Sequence, residues 1–487
     1  MGNIDLARSL IEDLCAAGTD EFCVCAGSRN SPLLAVLAAA SGLRLFSFVD
    51  ERSAAFFAIG RAKLRGRPVG VVTTSGTAVA EMLPAAIEAY YSGLPIALVS
   101  ADRPARFRGT GAPQTIEQEG IFGVYAESDL ARWTRRGPLH LNIEFDEPLI
   151  DGDVESIVAA PALSSPPVQG EVSEVSLPEF SRPLVILGAL RPNERDQVRT
   201  FVEALNAPVY AEPLSGLRED SGLPLIRSGE RMIRRGRFDG VIRIGGVPTL
   251  RFWRDLEENA LPVVHFSSQP YPGLTRGELH PVSALPQRVD ARSTDDSFVS
   301  LDREMLSKFE GILDAEPRSE LAIVRELSRT IPEGARVYLG NSLPIREWDL
   351  AGERQTRGFH YEANRGANGI DGQLSTFFGQ CDPARRNVGL VGDLTAIYDL
   401  GAPWIVPQLD SRFHLFIMNN GGGRIFARVP SLSRLASSMR EKVIENAHSI
   451  RFDAWASMWG IENSVTELRP DEDASRRVWQ RYEELWA

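Results

Sequence analysis

Cysteine and histidine are scarce in this chain, net positive charge and long apolar runs are lacking, and each excludes something. The four cysteines, Cys15, Cys23, Cys25 and Cys381, form no C-x-x-C pair, so reduced thiols are expected rather than a disulfide framework. Cys23 and Cys25 alternate along a strand-like run and read as small core residues. The six histidines show no metal-binding spacing, which argues against zinc chemistry. His140, in GPLHLN, reads as a core histidine. A net charge of −12 argues against nucleic acid as a partner. No apolar run reaches 18 residues, so no membrane span is expected. The N-terminal MGNIDLARSLIEDL places acids on an amphipathic pattern and reads as a helix rather than a signal peptide. A cytoplasmic location is expected.

What is present suits a large enzyme. The chain has 487 residues, 43% hydrophobic and 24% charged, which fits a globular protein with several cores. Strand-like runs at 21–26, 44–49, 68–73 and 95–99 alternate with helical stretches such as 77–91, and that alternation argues for a parallel sheet. A Pro/Ser-rich stretch, 161–182, reads as a linker. Further strands are expected near 183–188, 208–211, 241–245 and 262–266. Beyond a polar stretch near 291–318 come others near 336–340, 387–391 and 413–418. The expected fold class is α/β, with three domains (1–165, 180–300 and 318–487), each a mainly parallel sheet flanked by helices.

Two segments near the C-terminus carry the chemistry. In 390–395 (LVGDLT) and 415–423 (LFIMNNGGG), an apolar run ends in oxygen-bearing residues. Asn420 follows Asp393 by 27 residues, room for a crossover helix and a return to a parallel strand. Both polar groups then stand at carboxyl ends of neighbouring strands, where open α/β sheets bind ligands. A carboxylate, an amide oxygen and a glycine carbonyl are hard ligands that suit Mg²⁺ on a diphosphate, and glycine lets the backbone approach closely. Taken alone, the same residues also read as two turns. Together they resemble the metal–diphosphate motif of thiamine-diphosphate (ThDP) enzymes. That chemistry needs a buried carboxylate against the aminopyrimidine ring. Glu51, at the end of the strand-like FSFVDER, is the candidate; by position alone it also suits a helix N-terminus.

Nine ordered segments widen the resemblance: AGSRNSP (26–32), FVDER (48–52), TTSGTA (73–78), SADRP (100–104), GPLHLNIEFDEP (137–148), GNSLPIR (340–346), ANRGANGIDGQLS (363–375), VGDLTAIYD (391–399) and MNNGGGRIF (418–426). The set is similar to the MenD family, ThDP-dependent synthases of the menaquinone pathway. The resemblance implies decarboxylation of 2-oxoglutarate and Stetter-like 1,4-addition of the succinyl unit to isochorismate. By position, Glu51 matches the activating acid. Asp393, Asn420 and the Gly422 carbonyl match the ligands of Mg²⁺ (or Mn²⁺). Ile370 matches the apolar prop under the cofactor, and Ser342, Gly392, Leu394 and Ile425 complete its binding set. Arg29, Arg103, Gln114, Arg251, Arg346 and Arg365 match substrate-binding residues. Both implied substrates are dicarboxylates, which arginine binds bidentately. The resemblance also implies a homodimer, or a dimer of dimers, with shared active sites. Departures stand at Ala26, Leu250, Gly421 and Arg424; the changes at Leu250 and Arg424 alter charge near the expected pocket. Two other readings remain, another ThDP-dependent 2-oxo acid decarboxylase or carboligase, and a non-enzymatic protein on this fold. The arginine set weighs against the first and Glu51 with an intact metal motif against the second.

Overall fold

The computed structural model describes residues 1–158, 175–259, 261–292, 295–429, 431–432 and 434–487. Three five-stranded sheets organise them, and the strand pairings within all three are parallel. The first holds β1 (Glu21–Cys25), β2 (Arg44–Phe48), β3 (Val69–Thr73), β4 (Ile96–Asp102) and β5 (Leu139–Glu144), in the order β2-β1-β3-β4-β5. The second holds β6 (Pro183–Leu187), β7 (Val209–Ala211), β8 (Gly240–Ile244), β9 (Val263–Phe266) and β10 (Glu278–His280), in the order β10-β9-β8-β6-β7. The third holds β11 (Arg336–Leu339), β12 (His360–Glu362), β13 (Asn387–Gly392), β14 (Phe413–Met418) and β15 (Val465–Leu468), in the order β12-β11-β13-β14-β15. In each sheet the order reverses about its first strand. Such a switch point leaves a crevice at the carboxyl ends of the strands, because the crossover helices depart to opposite faces.

Central strands such as β3 and β4 are buried throughout, as a sheet covered by helices on both faces requires. The structure departs from the sequence expectation in small ways. The expected helix over 77–91 is two helices, Thr77–Glu81 and Leu83–Ser92. Pro84 lacks an N–H and its ring crowds the preceding turn, so the helix restarts there. Of the expected linker, 161–174 lies outside the described residues. The remainder is not a free spacer: Phe180 is buried in the core beneath the second sheet, and Val175 N donates to Ala284 O. Within the polar stretch near 291–318, Asp296–Ala315 is a helix capped by Asp295. Its Phe309 and Leu313 pack with Tyr482 and Trp486 of the C-terminal helix Glu472–Trp486. The aromatic residues of that helix are therefore core residues of the middle of the molecule. All four cysteines are free and buried.

The first and third sheets are joined through the helix Glu51–Arg65, which lies on the short helix Gln373–Gly379. Gly60 and Gly379 permit that approach, since a Cβ on either would run into the other helix's backbone. Thr376 Oγ1 donates to Phe56 O at 3.1 Å, and Arg52 pairs with Asp399 at 3.1 Å. Glu88 reaches from the first sheet's helices to accept from Gly366 N (2.8 Å) and Ala367 N (2.6 Å). Among the described residues, no helix is long and apolar enough to cross a membrane.

Candidate active site

The carboxyl edge of the third sheet gathers every residue that the sequence assigned to the diphosphate end of a cofactor. Ser342 follows β11, Gly392 ends β13 with Asp393 and Leu394 after it, and Asn420 and Gly422 follow β14. With Ile370 and Ile425 they line one cavity. The chain reaches it through strained turns: Ser342 has φ +71°, while Gly421 at +81° and Gly422 at +137° adopt backbone that other residues rarely do.

Asp393 is buried and opens the helix Asp393–Tyr398. Its Oδ2 accepts from Gly421 N (2.9 Å) and Gly422 N (3.0 Å), and its Oδ1 from Leu394 N (2.7 Å). Burial raises its pKa; these backbone donors and nearby His448, 3.3 Å from Oδ2, oppose the rise. Asn420 Oδ1 is buried and has no hydrogen-bond partner. Gly422 O accepts from Arg424 N at 2.9 Å and keeps a second lone pair. One carboxylate, one unpartnered amide oxygen and one glycine carbonyl fit a divalent cation of the Mg²⁺ type, which takes a few protein oxygens and fills its octahedron with water and phosphate. The Arg424 departure leaves little net charge, because Arg424 pairs with buried Glu445 at 3.0 Å.

Glu51, Arg29, Arg103 and Gln114 stand at the carboxyl edge of the first sheet. Glu51 follows β2 as the first residue of its helix, so it is both a helix-start acid and a strand-end acid. Asp50 caps that helix, accepting from Ser53 N at 3.0 Å. Glu51 is half-buried, and Thr73 Oγ1, at the end of β3, lies 3.4 Å from its Oε1. Burial raises the Glu51 pKa above the usual carboxylate range, which suits a group that must hold and release a proton near neutrality. Arg29, beyond β1, donates to Phe145 O at 3.0 Å and lies 3.3 Å from Glu147. Arg103, beyond β4, donates to Pro113 O at 3.0 Å and so secures the turn before Gln114. Gln114 has φ +56° and sits against Gly76.

Two of the remaining arginines come together and one does not. Arg365 Nη1 donates to Asn341 Oδ1 at 2.8 Å, and Arg346 Nη1 to Ser342 O at 2.5 Å. Burial lowers the Arg365 pKa, and the nearby charge of Arg346 lowers it further against the pull of Glu212. Glu212 is itself pushed up to about 7 by burial. Arg251 instead opens the short helix Arg251–Asp255 and pairs with Asp255 at 3.0 Å on the surface. Its neighbour Arg254, one turn on, shares a cleft with Arg365. Leu250 is buried in the core, so no cation could stand there without cost.

Sequence reasoning missed Glu320, which lines the Asp393 cavity from a helix start that carries no motif. It also missed Gln118, which is buried and accepts from Gly76 N at 2.8 Å. His140 is buried, 2.8 Å from Ser100 Oγ, and desolvation pushes its pKa down to about 4, as suits a core histidine.

Comparison with known proteins agrees with this arrangement. Residues 4–121 match the family model described as thiamine pyrophosphate enzyme, N-terminal TPP binding domain. A protein of Bdellovibrio bacteriovorus named 2-succinyl-5-enolpyruvyl-6-hydroxy-3-cyclohexene-1-carboxylate synthase is 40% identical, over 100% of both chains. One of the same name from Akkermansia muciniphila is 38% identical over 97% of each. A third, from a Roseiflexus species, is 30% identical over 98% of this chain and 93% of its own. Identity at this level along the whole length, on three parallel sheets whose strand ends hold the cofactor pattern, places the chain among ThDP-dependent enzymes, in the family of 2-succinyl-5-enolpyruvyl-6-hydroxy-3-cyclohexene-1-carboxylate synthases, the MenD family.

Proposed function

We propose that this enzyme decarboxylates 2-oxoglutarate and joins the succinyl unit to isochorismate by a Stetter-like 1,4-addition. The product would be 2-succinyl-5-enolpyruvyl-6-hydroxy-3-cyclohexene-1-carboxylate, made in the cytoplasm for menaquinone biosynthesis. The observation that carries the reading is the convergence of eight assigned residues, from separate loops, on the one cavity around Asp393. ThDP supplies the electron sink that decarboxylation requires.

The chain's own residues divide the remaining work. Asp393, Asn420 and the Gly422 carbonyl would hold Mg²⁺ or Mn²⁺ on the diphosphate. Ser342, Gly392, Leu394 and Ile425 would wall the cofactor, and Ile370 would prop its bend. Glu51 would exchange a proton with a ring nitrogen of the aminopyrimidine. Arg346 and Arg365 would clamp substrate carboxylates, with Arg29, Arg103 and Gln114 at the facing edge. In this reading residues 1–165 form the pyrimidine-binding domain, 180–300 a central domain and 318–487 the diphosphate-binding domain.

Glu51 is not among the residues that line the Asp393 cavity, which come from 320–426. Val49, two residues before Glu51, is 68% exposed, and Tyr398, Leu400 and Trp404 are exposed as well. Apolar groups left open beside a carboxylate that needs a partner support a two-fold dimer, or a dimer of dimers, in which each site is shared.

Incubation with ThDP, Mg²⁺, 2-oxoglutarate and isochorismate, with the product identified by mass, tests the reading. Release of only the aldehyde left by decarboxylation would replace it with a simple 2-oxo acid decarboxylase. The arginines give a finer measure. Arg365→Ala and Arg346→Ala should each raise KM for one dicarboxylate, by roughly 1.5–3 kcal/mol for a lost charged hydrogen bond. Arg251→Ala should change it little, since an exposed ion pair contributes about 0–1 kcal/mol. Steady-state kinetics on both substrates decides; untouched kinetics in the first two variants would move the pocket elsewhere.

A further inference from the structure

Asn420 can ligate a cation only through Oδ1, and an amide side chain can turn either of its polar atoms inward. Its neighbour fixes which. Glu320, buried at the first position of the helix Glu320–Thr330, accepts a hydrogen bond from Asn420 Nδ2 at 2.7 Å. A carboxylate has no proton to donate, so the amide must turn its nitrogen toward it. Oδ1 is thereby left buried without a partner, in a residue that lines the same cavity as Asp393. A buried polar atom without a partner calls for an explanation, and a cation provides one.

Glu320 is held in turn. Its backbone N donates to Ser475 Oγ at 3.0 Å. Arg428 lies 3.6 Å from its Oε2 and 3.6 Å from Glu347 Oε1, stacked over the Trp479 ring. Two buried acids therefore share one base. Burial pushes Glu347 well above the usual carboxylate range, with the Glu320 charge adding to it. Whatever that pair does, Glu320 Oε1 faces Asn420 Nδ2 as its acceptor.

We infer that Glu320 is a positioning residue of the metal site, acting through Asn420 to turn the amide oxygen toward the cation. The inference rests on the proposed metal site and deepens it. Outer partners that orient a metal ligand are typically worth about 10- to 100-fold in metal affinity.

Mn²⁺ titration of the ThDP-supplemented protein, with free Mn²⁺ read by electron paramagnetic resonance, tests this without reference to turnover. Glu320→Ala should raise the Mn²⁺ Kd by about 10- to 100-fold. Its metal-free melting temperature should stay near wild type, because Arg428 keeps Glu347. A wild-type Kd overturns the inference, and so does a lowered melting temperature with an unchanged Kd. Glu347→Gln removes the other acid of the pair but leaves the Glu320–Asn420 bond, and should bind Mn²⁺ like wild type; equal weakening there would reduce Glu320 to one member of a general scaffold. Glu320→Leu, which keeps the volume but offers no acceptor, serves if the alanine variant does not fold, with the same expectations. Asp393→Ala distinguishes the two layers of argument. Wild-type Mn²⁺ binding in that variant removes the metal site itself, whereas loss there with retention in Glu320→Ala removes only the role of Glu320.

Discussion

Glu51→Gln should bind ThDP about as tightly as the unaltered enzyme and lose roughly 10²- to 10⁴-fold in turnover, the range that positioned proton transfer supplies. Glutamine keeps the length of the side chain and can hydrogen-bond the same ring, so cofactor affinity, which depends on the distant diphosphate end, is preserved. It cannot take up and return a proton. The native carboxyl is prepared for that exchange by burial, which raises its pKa against the opposing hydrogen bonds of its own backbone and of Thr73. Deuterium exchange at the C2 position of bound ThDP, followed by nuclear magnetic resonance, isolates this step from substrate binding. Exchange at the wild-type rate would remove Glu51 from the mechanism.

Mixing two dead variants should restore activity to about a quarter of wild type. Glu51→Ala and Asp393→Ala chains would each be inactive alone. If one subunit's Glu51 serves its partner's Asp393 cavity, a mixed dimer contains one intact site and one doubly damaged site. Random re-pairing after dissociation makes about half of the dimers mixed, each with half its sites intact. If both residues served a site within one chain, no pairing could rebuild it. Zero recovery, with mixed dimers verified by native mass spectrometry, would exclude sharing.

The fold class and the family were legible in the sequence for a geometric reason. In a parallel sheet the residues just after each strand all reach the same edge, so a motif such as VGD or MNNGGG is read locally yet acts collectively. What escaped notice lacked that locality. The strands β10, β12 and β15 are three or four residues long and lie at sheet edges, too short and too polar to show an alternating pattern. Pro84 splits a helix whose apolar periodicity runs on unbroken. Arg251 follows from the family resemblance only through a stretch, VPTLRFWR, that matches it poorly, and a turn of helix separates it from the cleft that Arg254 shares with Arg365. Glu320 meets Asn420 across 100 residues, and nothing near Glu320 in the chain announces that contact.

The seam between the helices Glu51–Arg65 and Gln373–Gly379 has a consequence for how the protein is made. The residues it joins, Phe56 and Thr376, are 320 positions apart. On a ribosome adding roughly 5–20 residues per second, the second helix emerges roughly 15–60 s after the first. Throughout that interval the nascent first sheet exposes Phe56 and the glycine notch at Gly60 without their cover. Synthesis of this enzyme thus includes a long stage in which that apolar surface is open to aggregation, and added chaperone should raise its soluble yield.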